Sequence, residues 1–268
     1  MKKPNILIIG SNSILAQKYL NFSKIKKITV RDRSTLDNLN FEKFTHIINF
    51  SLDPNLKNKK VKFESQLDSI ISKKIKGTNT IYIIPSTRQV YSSIRKSEFS
   101  ERQKLNKIDN IYGNNKRIVE IKVSNILKNK VLIIRISTLL LFDSSIRNLF
   151  ISRVLRSLKK NKKIYFDIGP DTAKDFITIK KFSYALDKLI IKRKTGIFNL
   201  SSGFSIKIKL ILQKIIEGYG SGVIKYKNEK SGKSYYLNNK KLSKNIKFSI
   251  SKKHILDYCK ILGKNLNA

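Results

Sequence analysis

Four consecutive apolar residues, Ile6-Leu7-Ile8-Ile9, run into Gly10 and then into a segment with helical spacing. A strand that is apolar at every position has no solvent face, so it belongs inside a sheet covered on both sides. The same pattern recurs through the first half. Strands are expected at 5–9, 27–30, 46–50, 80–84 and 131–136, separated by helical segments at 14–22, 62–74 and 111–127. Strand and helix in alternation predict an α/β fold with a doubly wound parallel sheet. The second half is less regular, with helices expected at 145–160, 181–191, 207–217 and 252–262 and strands at 163–168 and 196–200. This predicts a main domain over 1–140 and a smaller C-terminal lobe over 141–268, with segments of the lobe returning to the main domain.

With 40% apolar residues among 268, the chain can bury a substantial core despite a net charge of +39. That charge could attract nucleic acid or an anionic membrane. However, the basic residues are 46 lysines and 11 arginines, and the lysines are dispersed. Lysine, asparagine and isoleucine together are what AT-rich codons favour. The expectation is a solvated lysine surface, with neither nucleic acid nor membrane as a partner. The one cysteine, Cys259, allows no disulfide within the chain and fits a reducing, cytoplasmic setting. The N-terminal apolar run stops at Gly10, short of a secretory signal. No other run approaches the length of a membrane span.

The strand–turn–helix at Gly10-Ser11-Asn12-Ser13-Ile14-Leu15-Ala16 has the context of a dinucleotide-binding loop of Rossmann type. Backbone N–H groups at a helix start can face a pyrophosphate, aided by the helix dipole. Of the motif's three glycines only Gly10 remains. Ser13 and Ala16 occupy the other two positions, and a Cβ at Ser13 is tolerated only if its backbone angles are ordinary. The acidic residue expected after strand two is Asp32, a partner for an adenosine ribose and so for NAD. Its neighbours Arg31 and Arg33 suit a 2′-phosphate and so NADP. The sequence leaves NAD and NADP both open.

A Tyr-x-x-x-Lys pattern occurs four times, at Tyr112/Lys116, Tyr184/Lys188, Tyr226/Lys230 and Tyr236/Lys240. Position selects the first, at the start of the helix between strands four and five. There the spacing puts both side chains on one face near the carboxyl ends of the strands. A phenol titrates ordinarily near ~10, and a neighbouring ammonium favours its ionised form. Tyr112 would exchange a proton with a substrate oxygen, and Lys116 would also hold the ribose of the cofactor. Ser86 and Thr87 end strand four, where a hydroxyl can hydrogen-bond the reacting oxygen.

These residues resemble the extended short-chain dehydrogenases/reductases of the nucleotide-sugar epimerase/dehydratase group. The resemblance runs over nearly the whole chain. It includes Gly10–Ala16, the segment Thr45-His-Ile-Ile-Asn-Phe-Ser51 that lies along the cofactor, Ser86-Thr-Arg-Gln-Val-Tyr91, Tyr112–Lys116 followed by Glu120, and Val131-Leu-Ile-Ile-Arg135. It continues through Lys174-Asp-Phe-Ile-Thr-Ile179, similar to a segment whose basic residue contacts the substrate diphosphate, and Gly196–Gly203. It implies Thr87, Tyr112 and Lys116 as catalytic residues. It implies Gly10, Ser11, Asn12, Ser13, Ile14, Leu15, Asp32, Arg33, Ser51 and Lys116 around NAD or NADP. Ser86, Thr87, Arg88 and Lys174 fall at the substrate, a nucleotide-linked sugar. Thr138 stands where many members carry a substrate-contacting Asn.

Dehydratases of the group place Asp-Glu after the strand-four threonine, and this chain has Arg88-Gln89, which argues against dehydration. Epimerases acting beside a ketone use a Cys and a His, whereas His46, His254 and Cys259 lie elsewhere. What the resemblance then implies is reduction of a keto-sugar nucleotide for surface-polysaccharide precursors, or 4-epimerisation. A catalytically silent cofactor-binding member is the rival reading. The resemblance also implies a homodimer formed through the Tyr–Lys helix.

Overall fold

Along the first strand Ile6 and Ile8 face one side and Leu7 and Ile9 the other, and all four are fully buried. The computed structural model that shows this describes residues 3–37, 39–91, 97–105, 108, 110–142, 150–227, 230 and 232–266. The main sheet takes β1 (Ile6–Ile9), β2 (Ile28–Arg31), β3 (His46–Asn49), β4 (Ile81–Thr87), β5 (Val131–Ile136) and β6 (Gly196–Leu200). Their order is β2-β1-β3-β4-β5-β6 and every pairing is parallel. The chain steps outward from β1 to β2, then crosses back to β3 and runs the other way. Such a reversal opens a crevice at the carboxyl ends of β1 and β3, where ligands of doubly wound sheets bind.

The alternation of side chains builds one core on each face. Ile6, Ile8, Ile48, Ile83, Ile134 and Phe198 meet Tyr19 of α1 (Ile14–Leu20) and Phe182 and Leu186 of α5 (Ile179–Ile191). Leu7, Ile9, Ile47, Tyr82, Ile84 and Ile133 meet Ile71 of α2 (Leu67–Lys74) and Val119 and Val123 of α3 (Ile111–Leu127). Each such side chain contributes about 1.5–3 kcal/mol through burial. Asp187 of α5 ties down α1, accepting from Tyr19 Oη at 2.6 Å and from the Lys24 N–H at 2.6 Å. The helix that opens the crevice is thereby anchored at its far end.

A third core joins α4 (Phe150–Asn161), α6 (Ile208–Tyr219) and α8 (Lys252–Lys264) through Leu155, Leu158, Ile211, Ile215, Ile255 and Cys259. Burial pushes the Cys259 thiol up to about 12, so it is an inert core residue. His46 begins β3 at the amino edge of the sheet, 1% exposed, and burial lowers its imidazole to about 4. A short helix, α7 (Lys240–Ile246), lies against β6 and has no counterpart in the expected elements.

The helix expected over 62–74 is broken. A single 3₁₀ turn at Phe63–Ser65 precedes α2, because Gln66 is extended (φ −88°, ψ 147°). The strand expected over 163–168 stops at Phe166, where its parallel partner Val223–Tyr226 also ends. Residues 145–149 of the expected fourth helix lie outside the described residues. No helix among the described residues is long and apolar enough to cross a membrane. Nor do these residues gather three metal-ligating side chains.

Candidate active site

Gly10 occupies left-handed space at φ +104°. A Cβ there would stand 2.7 Å from the Ser51 backbone nitrogen. Two independent reasons therefore demand glycine: the dihedral and the approach of the chain leaving β3. Ser13, by contrast, sits at φ −74°, ψ 120°, where a Cβ costs nothing. Ala16 is fully buried against the sheet. One glycine suffices, and the first-turn N–H groups of α1 still face the crevice without intrahelical partners. Gly10→Ala is expected to lower unfolding free energy by about 1–3 kcal/mol, measured by urea denaturation.

Beside the loop, Asp32 works as a turn cap. Its carboxylate accepts from the Ser34 N–H at 3.1 Å and Ser34 Oγ at 2.9 Å, with Ser11 Oγ at 3.5 Å. The bonds from Ser34 hold it below the usual carboxylate range. Arg33, Ser34, Asn49, Ser51 and Gln66 border a cleft of about 390 Å³. Ser51 is fixed there by Asn49 Oδ1, which accepts from its N–H at 3.0 Å and its hydroxyl at 2.7 Å. Asn49 leans in turn on Asp68, which also accepts from Tyr82 Oη at 2.8 Å.

Two pins hold α3 across the end of β4. At its start, Asn110 Oδ1 caps the helix by accepting from the Gly113 N–H at 2.8 Å. A Cβ on Gly113 would lie 2.5 Å from the Gln89 carbonyl oxygen, so the first turn rests directly on the backbone just past Thr87. Two turns on, Ser86 Oγ donates to Glu120. Tyr112 adjoins the first pin and Lys116 lies between the two, one helical turn further on. Thr87 Oγ1 accepts from the Gln89 N–H at 3.2 Å. Asn115, on the same turn, secures the loop after β3 by donating to the Leu56 and Lys59 carbonyls at 2.9 and 2.7 Å. The first two turns of α3, which carry Tyr112 and Lys116, thus run past the end of β4 that carries Thr87. Lys116 is only 8% exposed, yet its ammonium has no hydrogen-bond or acidic partner among the described residues. Tyr112 is half-buried and similarly unpartnered.

Ser86, expected at the substrate, points the other way. Successive strand residues face opposite sides, and Ser86 is 4% exposed and bonded to Glu120. It braces the strand end and leaves the cleft to Thr87. Glu120 continues a buried polar chain. Arg135 of β5 donates to it from Nη2 at 2.6 Å and from Nε at 3.2 Å. Arg135 also donates to Tyr91 Oη at 2.9 Å, and Tyr91 donates to Asn199 Oδ1 at 2.8 Å. Burial pushes the Tyr91 phenol up to about 12, so it relays hydrogen bonds without ionising.

No protein-family model matches the sequence, and no curated protein matches it. Solved structures do match over their full length. A UDP-N-acetylglucosamine 4-epimerase from Methanobrevibacter ruminantium is 15% identical at TM-score 0.77, covering 100% of this chain and 98% of that one. RMD from Pseudomonas aeruginosa, complexed with NADPH, is 12% identical at 0.77, with 98% and 97% covered. A dTDP-4-dehydrorhamnose reductase from Bacillus anthracis, in complex with NADP, is 18% identical at 0.74, with 96% and 98% covered. The chain has the fold of the extended short-chain dehydrogenases/reductases.

In this short-chain dehydrogenase fold the remaining predicted residues, Arg88 and Lys174, come together from distant segments. The Arg88 guanidinium lies 4.5 Å above the Tyr235 ring, and Tyr235 donates its backbone N–H to Ala173 at 3.1 Å, next to Lys174. Burial brings Lys174 down to about 8, with Arg88 and Arg153 adding to the effect and Asp167 opposing it. The adjoining Asp175 is fully buried. It accepts from the N–H groups of Ser202 and Leu237 at 2.9 and 3.1 Å, which binds the Lys174 segment to the turn after β6. Burial still pushes its carboxyl up to about 6.

Sequence reasoning missed Gly113, Asn115, Tyr91, Arg153 and Tyr235. Gly113 had a signal: a glycine in the first turn of a long helix weakens it, so close packing is the usual reason. Tyr235 had none, since nothing local ties it to Arg88.

Proposed function

We propose that this chain is an NAD(P)-dependent oxidoreductase that reduces a keto group on a nucleotide-linked sugar. One observation carries the reading: a lysine only 8% exposed, without a protein partner among the described residues, one turn from a half-buried tyrosine on a helix that runs past a strand ending in a threonine. A buried charge without a partner is costly, and ribose hydroxyls of a dinucleotide would satisfy it. The groups at hand fit such a cofactor, with Gly10 and the start of α1 at the pyrophosphate, the cleft at Arg33 and Ser51 for the adenosine, and Lys116 at the nicotinamide ribose.

When bound, the reduced nicotinamide supplies a hydride to the carbonyl carbon. Thr87 Oγ1 hydrogen-bonds the carbonyl oxygen and polarises it. Tyr112 delivers the proton that this oxygen needs to become a hydroxyl. Lys116 stabilises the phenolate left on Tyr112. Main-domain residues 1–140 hold the dinucleotide in this reading, and residues 141–268 supply most of the sugar-nucleotide contacts, led by Lys174. The reading is supported by the full-length likeness to enzymes whose names carry nucleotide sugars and reductases. The decisive assay supplies NADH or NADPH with a 4-keto sugar nucleotide and follows absorbance. Steady oxidation of the dinucleotide is expected, and none with either cofactor would defeat the reading.

Lys174 gives this site a pH dependence with a defined sign. Its pKa is lowered to about 8, so the ammonium that receives a diphosphate is intact below pH 8 and lost above it. Affinity for UDP is expected to fall by up to about tenfold per pH unit once pH exceeds 8. The charged groups facing Lys174 are Arg88, Arg153 and Asp167. Calorimetric titration from pH 7 to 9 measures the fall, and Lys174→Met is expected to bind weakly and without that slope.

A further inference from the structure

A column of rings sets the position of one charge next to Thr87. Arg88 caps Tyr235, Tyr235 stacks on Phe99 at 5.7 Å, Phe99 stacks on Tyr91 at 5.2 Å, and Arg135 closes the other end 4.9 Å from Tyr91. Arg135 is clamped by Glu120, and Tyr235 Oη pairs with Thr138 Oγ1 at 3.1 Å. Arg88 is therefore held at the end of a rigid stack. Unlike Arg135, it has no carboxylate and no hydrogen-bond acceptor among the described residues. Arg88 is half-buried, and its guanidinium carries five donors.

Lys174 feels the charges of both Arg88 and Arg153. Arg153 and Asp167 border a cavity of about 180 Å³ with Phe150, Tyr165 and Lys227. The cations thus divide in two. Arg153 and Lys227 line the cavity, and with Lys174, which feels the charge of Arg153, they supply the cations for a diphosphate. Arg88 is left over, and it follows directly on the hydroxyl assigned to the reacting carbonyl. Its charge falls on the sugar.

We infer that the sugar of the substrate itself carries a carboxylate, which the Arg88 guanidinium receives in a two-pronged hydrogen bond. This rests on the reading of the site as a nucleotide-sugar reductase. The cation–π contact with Tyr235 orients the fork, and the flat geometry of guanidinium matches a carboxylate better than an ammonium does.

The test compares UDP-glucose with UDP-glucuronic acid, which differ only in a CH₂OH against a carboxylate, on the full chain with NADP⁺ present. The thymidine pair is run in parallel. In one base series or the other, the acidic sugar nucleotide is expected to bind about tenfold or more tightly than the neutral one. Arg88→Met is expected to bring the two within about twofold by weakening the acidic ligand far more than the neutral one, and Arg88→Lys to recover part of the difference. Lys174→Met should weaken both ligands alike. Equal binding of acidic and neutral ligands to the parent chain, or equal weakening of both by Arg88→Met, overturns this inference and spares the reductase reading. Failure of all four ligands to bind overturns both.

Discussion

Tyr112→Phe is expected to slow turnover of a keto-sugar nucleotide by about 10²–10⁴-fold while leaving dinucleotide affinity intact. The variant removes one oxygen from a half-buried side chain that has no protein partner among the described residues. No hydrogen bond of the fold is lost, so stability should stay within about 0.5 kcal/mol of the parent. What disappears is the proton that must reach the substrate oxygen as the carbonyl becomes a hydroxyl. Lys116, still in place, continues to hold the cofactor. The loss should therefore appear in kcat, with binding measured separately by fluorescence of the reduced nicotinamide. A variant that turns over like the parent would remove Tyr112 from the chemistry.

The second large effect is on stability. Glu120 and Arg135 are each about 3% exposed and joined by several hydrogen bonds. Glu120→Ala leaves the guanidinium in the interior with only Tyr91 Oη and strips Ser86 of its acceptor. Breaking a buried pair from one side costs about 3–5 kcal/mol, whereas replacing both partners by apolar groups is often close to neutral. Glu120→Ala should shift the urea midpoint sharply downward, and Glu120→Leu with Arg135→Met should recover most of the loss. The recovered double variant should still turn over slowly, because Ser86 and Glu120 form the pin that holds α3 against the end of β4. If it is as unstable as Glu120→Ala, the unpaired charge is not the cause.

The main sheet was legible because strands at its centre are apolar on both faces. Ile6–Ile9 and Val131–Ile136 admit only one environment, and their bounds were readable within a residue. Gly10, Tyr112 and Lys116 were legible because their spacing and their place between a strand and a helix are local. The second half was harder. Its short paired segments, such as Ala173–Lys174 with Ile206–Lys207, are two residues long and leave no periodicity to detect. The inward turn of Ser86 was concealed for a different reason. Strand alternation allows only one of Ser86 and Thr87 to face the cleft, and its acceptor Glu120 lies 34 residues further on. The loss of two glycines from the phosphate loop looked like a defect until the backbone showed that Ser13 has ordinary angles.

The account turns on Lys116 as the group that receives a dinucleotide. Titration of the chain with NADH and with NADPH, followed by nicotinamide fluorescence, tests it most directly when repeated on Lys116→Met. Loss of a charge-assisted hydrogen bond to ribose is worth about 1.5–3 kcal/mol. The parent chain should therefore bind one of the two dinucleotides at least about tenfold more tightly than the variant does. Equal affinities in parent and variant, or no binding of either dinucleotide to the parent, would contradict it.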